Sequence, residues 1–294
     1  MLIDRPQHQQ VPAPPTYRHP DMTTTFESAA VSSAGPRPDN QDSGCAGTHL
    51  VAVADGVGGD VGGAIASSLV INWLSRRGFA GPTSEGSAAW LRDAIAMGNR
   101  RIRTACAQQP RLRCMATTLT AIATTGDGVL ALAHIGDSRA YLLRGGALVQ
   151  LTRDHTWVRA LADAGSITPE QARTHPLRSV LLAVLHGRED DMAKVEISTH
   201  PTQPGDRLLL CSDGVSGAVP SERMLRILAG APSPAAAAAL LQRAALDAPA
   251  QDNVTVAVAD LSAVPHPARV LPVKVGAAAS APAEITQPLP TVES

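Results

Sequence analysis

Val51-Ala-Val-Ala-Asp55-Gly56 is a short apolar run that stops on an acid and a glycine, and the pattern returns along the chain. It recurs as His134-Ile-Gly-Asp137, as Leu208-Leu-Leu-Cys-Ser-Asp213-Gly214 and, with the acid leading, as Asp252-Asn253-Val-Thr-Val. Each run has the length and make-up of a buried strand. Strands of one sheet deliver their ends to one rim, so these aspartates would meet there. Ionised together they repel one another unless their pKa values rise or a divalent cation neutralises them.

Working outward from those runs, the segments 26–33, 50–54, 117–124, 129–135, 140–143, 148–151, 194–199, 207–211 and 254–259 read as strands. Gly145-Gly146 between two of them reads as a hairpin turn. Helical periodicity falls between the strands: Ile65, Leu69 and Trp73 are four apart within 63–77, and Leu91, Ile95 and Ile102 share one side of 88–108. Segments 221–228 and 234–246 are also helical, opening with Ser or Ser-Pro as capping residues. Hairpins imply antiparallel pairing, so the expected fold is α+β: a four-layer α-β-β-α sandwich of two antiparallel sheets flanked by helix pairs.

The 294 residues, 44% hydrophobic, suffice for one substantial core, expected over 24–262. Pro-rich residues 1–23 and Ala/Pro-rich residues 263–294 lack any helical or strand period and read as disordered tails. Segment 156–186 is less regular and reads either as a mobile flap or as a surface insertion without a catalytic role. A net charge of −1, with no basic block, argues against nucleic acid as a partner. No apolar stretch reaches the roughly 20 residues of a membrane span, and the first residues carry no secretory signature. A cytoplasmic monomer is the expectation. Cys45, Cys106, Cys114 and Cys211 have no C-x-x-C spacing and read as small buried thiols.

Gly35-Pro-Arg37-Pro-Asp-Asn40-Gln41-Asp42-Ser43 is a turn that projects Arg37 and Asp42 just before a strand. Arginine's planar fork matches two phosphate oxygens. Asp42, Asp55, Asp137, Asp213 and Asp252 offer hard oxygen ligands, which select magnesium or manganese. None of the nine histidines falls in a zinc-hydrolase spacing such as H-E-x-x-H. Taken singly, an aspartate after a strand is usually a turn former or a helix cap. The constellation carries the signal.

Arg37…Asn40-Gln41-Asp42-Ser43, Val53-Ala-Asp55-Gly56-Val-Gly58-Gly59, Ala116-Thr117-Thr118, Gly136-Asp137-Ser138-Arg139, Leu151-Thr-Arg-Asp154-His155-Thr156, Cys211-Ser212-Asp213-Gly214 and Asp252-Asn253-Val254-Thr255 together resemble the metal-dependent Ser/Thr protein phosphatases of type 2C, in that family's order. The likeness is greatest to the compact bacterial members. It implies a β-sandwich with a binuclear centre of Mg2+ or Mn2+ at one end. Asp55 would bridge both metals, the Gly56 carbonyl would bind the first, and Asp213 and Asp252 the second. Asp137, with Asp213, matches a third metal site. Arg37 would hold the phosphate, Asp42 would order metal-bound water, and Asn253 would orient Asp252 or touch a metal water. The implied reaction is direct attack of a metal-bridging water on phosphoserine or phosphothreonine, and the implied partners are phosphorylated proteins and a cognate Ser/Thr kinase.

Four positions depart from the pattern. Val57 stands where eukaryotic members place a histidine proposed as general acid, which leaves protonation of the leaving group unassigned. Asp60 and Gly63 appear where many bacterial relatives carry His and Glu, and Gln41 stands where Glu is frequent. Two other readings compete with the phosphatase: a catalytically silent phosphoprotein-binding module, and a phosphoesterase for small molecules.

Overall fold

Side-chain alternation along the strands sets the layers. The structure, a computed structural model, describes residues 23–58, 62–77, 86–124, 128–248, 252–264 and 271–280. The strands are β1 (Thr23–Ser33), β2 (Ser43–Ala46), β3 (Leu50–Ala54), β4 (Gly56–Val57), β5 (Ala116–Thr117), β6 (Leu119–Thr124), β7 (Val129–Ile135), β8 (Arg139–Arg144), β9 (Ala147–Gln150), β10 (Glu196–Pro201), β11 (Arg207–Cys211), β12 (Val254–Val264) and β13 (Val273–Gly276). The helices are α1 (Gly62–Arg77), α2 (Gly86–Gln108), α3 (Trp157–Asp163), α4 (Pro169–Thr174), α5 (Asp213–Ser216), α6 (Ser221–Gly230), α7 (Pro234–Leu246) and α8 (Ala277–Ser280).

One sheet has the order β1-β12-β11-β8-β9 and the other β10-β7-β6-β3-β2-β13, and every pairing is antiparallel. Along β3, Val51 and Val53 pack between the sheets with Leu208 and Leu210 of β11, Ala257 and Ala259 of β12 and Ile122 of β6. Leu50, Ala52 and Ala54 point the other way, onto Val70, Ile71 and Leu74 of α1 and Leu91 and Ile95 of α2. Leu209, Cys211, Val254, Val256 and Val258 face Met224 and Leu228 of α6 and Leu241 and Ala245 of α7. The central strands therefore bury both faces, one against the opposite sheet and one against a helix pair, which is the expected α-β-β-α sandwich.

Pairing also fixes where the acids go. β3 and β7 both run antiparallel to β6, so Asp55 and Asp137 leave the second sheet at one edge. Cys211 pairs with Val256 and with Arg139, and Val254 with Ser33, so Asp213, Asp252 and the end of β1 share an edge of the first sheet. Gly136, Asp137 and Ser138 cross directly from β7 to β8, from one sheet to the other, and bring the two edges together.

Gly145 and Gly146 sit at φ +56° and +80°, the left-handed pair that a two-residue hairpin turn requires. Residues 273–280, placed by sequence in a disordered tail, instead form β13 and α8, with β13 pairing to β2. The strand expected at 194–199 begins two residues later, because Glu189–Lys194 closes a 3₁₀ turn around the buried Asp191, which accepts the His186 and Arg188 N–H groups at 2.9 Å. Pro220, not Ser221, stands at the cap position of α6, whereas the Ser233 hydroxyl does cap α7. Cys45 and Cys211 are buried as expected, but Cys114 is exposed and Cys106 half-buried. Among the described residues no helix is long and apolar enough to cross a membrane. Residues 1–22, 265–270 and 281–294 of the expected tails lie outside the described residues.

Candidate metal centre

Asp55 is the hub of the acidic rim. Its N–H donates to the Thr118 hydroxyl at 3.0 Å, and its carbonyl accepts from the Thr118 N–H and the Thr117 hydroxyl, both at 2.9 Å. Threonines therefore hold the backbone and leave the carboxyl free to face the rim. The same Thr118 hydroxyl lies 2.9 Å from the Ser138 hydroxyl, and Thr120 donates to the Ser138 carbonyl at 2.7 Å, so one strand ties the Asp55 and Asp137 loops together. Nothing in Ala116-Thr117-Thr118 as a sequence marks these hydroxyls as tethers. Asp154 and His155 act on the same loop from the far side. Arg139 forks onto Asp154, and the Gly136 N–H donates to His155 Nδ1 at 3.1 Å.

Asp42 is buried at 1% exposure, and neither of its carboxyl oxygens has a hydrogen-bond partner. Burial pushes its carboxyl up to about 7 and the Asp213 charge adds to that, against the pull of the Thr255, Ser212 and Asp55 side chains. The same hydroxyls also engage other groups: Thr255 Oγ1 stands 2.7 Å from Ser32 Oγ, and Ser212 Oγ accepts the Thr255 N–H. Asp55 is raised well above the carboxylate range by burial and then by the charges of Asp42, Asp213, Asp137 and Asp252. Asp137 and Asp213 are raised for the same two reasons, burial first and then a neighbouring aspartate. Five of the acids singled out by sequence thus feel one another across a single rim.

Arg37 reaches this rim from the loop after β1, with Nη2 2.9 Å from Asp252 Oδ2 and both side chains open to solvent. Asp252 is steadied by its neighbour's N–H, which donates to Oδ1 at 2.9 Å. The Asn253 side chain does something else: its carbonyl accepts the Gln41 N–H at 2.8 Å, and its amide donates to the Ala34 and Asp39 carbonyls at 2.9 Å. It clamps the Arg37–Asp42 loop rather than orienting the Asp252 carboxylate.

Backbone packing accounts for two of the departures noted above. A Cβ on Gly56 would lie 2.3 Å from the Gly63 carbonyl oxygen, and one on Gly63 would lie 2.2 Å from Gln41 Oε1. Gly56, Gly63 and Gln41 fill one space, so the first turn of α1 has no room for a side chain at position 63. Asp60 lies outside the described residues.

The rim is short of positive charge. Asp42 Oδ1, Asp42 Oδ2 and Asp213 Oδ1 are buried acceptors with nothing to accept, and mutual repulsion drives Asp55 upward. Hard divalent cations answer both defects. Among the described residues no three acidic, His or Cys side chains already close on one point. A cation would therefore complete its shell with backbone carbonyl oxygen and solvent, as Mg2+ and Mn2+ commonly do.

Comparison with known proteins bears on this arrangement. A model of the family described as Protein phosphatase 2C matches residues 37–248. The Serine/threonine protein phosphatase PstP of Mycobacterium tuberculosis is 43% identical over 241 residues, which cover 82% of this chain and 46% of that protein. The Serine/threonine phosphatase stp of Listeria monocytogenes is 38% identical over 212 residues, covering 70% of this chain and 82% of that one. A crystal structure of the PstP catalytic domain in complex with two manganese ions superposes with a TM-score of 0.75 at 42% identity, covering 81% of this chain and 99% of that one. The chain spans about half the length of the mycobacterial relative.

Proposed function

Since the chain belongs to the protein phosphatase 2C family, we propose that it is a metal-dependent phosphoprotein phosphatase that hydrolyses phosphoserine and phosphothreonine and opposes a cognate Ser/Thr kinase. The observation that carries this reading is a ring of charge-starved aspartates with Arg37 on its lip. Asp55 and the Gly56 carbonyl would hold a first cation, Asp213 and Asp252 with Asp55 a second, and Asp137 with Asp213 a third. Bound there, Mg2+ or Mn2+ would supply the positive charge that acidifies water and neutralises the phosphoryl group as it transfers.

The chain's own residues divide the remaining work. Arg37, already exposed and held by a carboxylate at the rim, presents its fork to two phosphate oxygens and fixes the phosphorus in line for attack. Asp42 contributes two open acceptor oxygens that orient the attacking water. Asn253 keeps both residues in register by clamping their loop at three backbone groups. Val57 cannot donate a proton, so the departing alkoxide takes its proton from solvent. We assign the protein to the cytoplasm, as a monomer.

Turnover of a phosphothreonine peptide and of p-nitrophenyl phosphate, measured with Mn2+ and with EDTA, tests this directly. Hydrolysis with Mn2+ and none with EDTA is expected. Absence of any metal-dependent turnover would return the silent binding module, and a strong preference for nucleotides would return the small-molecule esterase. Arg37→Ala should lower kcat/KM about tenfold to a hundredfold, the range for losing hydrogen bonds to a charged group. An unchanged kcat/KM removes Arg37 from the site.

Segment 156–186 is assigned as a flap over this site. Leu185 exchanges two backbone hydrogen bonds with Thr117, both 2.9 Å, beside the threonine that holds Asp55. Its helices α3 and α4 are capped by Thr156 and Thr168, and Trp157, Leu177, Val180 and Leu182 are left exposed. Exchanging residues 157–180 for a relative's segment should change KM among phosphopeptides and leave p-nitrophenyl phosphate turnover unaltered. Identical peptide preferences after the exchange contradict a flap.

A further inference from the structure

The segment that folds back onto the rim lies beyond residues 37–248, the part that matches the family. β13 runs antiparallel along all four residues of β2, pairing Val273 with Ala46, Lys274 with Cys45, Val275 with Gly44 and Gly276 with Ser43. The chain then turns at Gly276, φ +68°, into α8. There the Ala277 N–H donates to the Asp42 carbonyl at 2.8 Å and the Ala278 N–H to the Ser43 hydroxyl at 3.0 Å. The far end of the segment is anchored by Lys274 Nζ on Asn72 Oδ1 of α1 at 2.6 Å, and Ala278 is fully buried against the same helix layer.

We propose that residues 271–280 are a positioning strap that sets the aim of the Asp42 carboxyl into the metal centre through the Asp42 backbone. This rests on the reading of that rim as a metal centre. Because no donor holds either Asp42 carboxyl oxygen, its direction depends on how firmly the backbone is fixed. Four partners fix it. Asn253 and Ser67 hold the Gln41 N–H and carbonyl at 2.8 and 2.6 Å, the Asn40 side chain receives the Asp42 N–H at 3.2 Å, and the strap takes the Asp42 carbonyl and the Ser43 hydroxyl.

Covering the edge of β2 would be the plainer task for such a strand. That task needs β13 alone. It does not account for a left-handed turn seated so close that a Cβ on Gly276 would stand 2.2 Å from the Asp42 carbonyl oxygen. Nor is the strap built for apolar burial, since Leu271 and Val273 are each 68% exposed. The two N–H groups that open α8 go to Asp42 and Ser43.

Two variants probe the strap without touching an assigned ligand. Ala277→Pro removes the one N–H that holds the Asp42 carbonyl, at the first position of α8, where proline fits a helix. Gly276→Ala forces a side chain against that carbonyl. Mn2+ binding to the metal-free full chain is measured by calorimetry, alongside its Tm in EDTA. For Ala277→Pro we expect an Mn2+ Kd raised about fivefold, the effect of one net hydrogen bond, with little change in Tm. Gly276→Ala should raise Kd at least as far.

Arg144→Met serves as the control. It breaks the buried pair with Asp206 at the opposite end of β11 and should lower Tm while leaving Kd as it is. Wild-type affinity in both strap variants overturns the proposal, and so does a control whose Kd rises as far as theirs. A wild-type chain that takes up no Mn2+ instead removes the metal centre on which the strap acts.

Discussion

Asp55→Asn is expected to cut Mn2+-dependent turnover of p-nitrophenyl phosphate by at least about a hundredfold, the upper range recorded for losing even an outer partner of a metal ligand, while raising the Tm of the metal-free protein. The two effects have one cause. Asp55 stands in the combined field of Asp42, Asp213, Asp137 and Asp252, so without a cation it sits under the repulsion of four neighbours, and with one it is assigned to two ions. Asparagine keeps the shape, and the backbone bonds to Thr117 and Thr118 stay as they are. It removes the charge. Without metal, a repulsive centre becomes quieter; with metal, the ligand assigned to both ions is weakened. A single set of melts in EDTA and in Mn2+, run beside the turnover assay, checks both. Turnover near wild type, or a lower Tm in EDTA, defeats the assignment of Asp55 as the shared ligand.

Most of the sandwich could be read in advance because its central strands are buried on both faces. Continuous apolar runs such as 50–54 and 208–211 stand out from polar loops, and an acid follows each within two residues. β2 could not be read this way: Ser43, Gly44, Cys45 and Ala46 contain no β-branched or aromatic residue, and only pairing with β3 makes them a strand. β13 was hidden for a related reason. Its valines lie in an Ala/Pro-rich stretch, with Val273 facing solvent, so no apolar face marks it until β2 offers a partner. The acids at the rim were legible as residues and as a group. The hydroxyls of Thr117, Thr118 and Ser67 that hold their backbones were not, since side chain to backbone bonds between distant segments leave no periodic trace. Asn253 shows the same limit. Its neighbour Asp252 suggested a local task, but its side chain serves Gln41, Ala34 and Asp39, which lie more than 200 positions away.

In EDTA the protein should lose stability as pH rises from about 6.5 to 8, the reverse of what acids stabilised by ion pairs produce. Asp42 titrates at about 7 in the fold against 3.8 as an ordinary carboxyl, so between those values the folded state holds a proton that the unfolded chain has released. Stability present below pH 4 is therefore lost progressively up to pH 7. The difference corresponds to roughly 4 kcal/mol at 1.36 kcal/mol per pH unit. Asp55 and Asp137, also raised well above 3.8, extend the loss to higher pH. Two histidines oppose them, the half-buried His200, lowered by burial, and His134. His134, buried and lowered to about 4 from 6.5, adds stability as pH climbs through that interval, by roughly 3 kcal/mol on the same scale. Both contributions are complete by pH 6.5, so above that point only the aspartates act and the slope turns negative. Saturating Mn2+ should reverse the slope, because it binds the ionised carboxylates and competes with protons for them. The gap between the Mn2+ and EDTA melting temperatures should thus be small at pH 5 and widen steadily to pH 8. A Tm in EDTA that climbs from pH 6.5 to 8, or a gap that stays constant, means that the acids of this rim are not forced together.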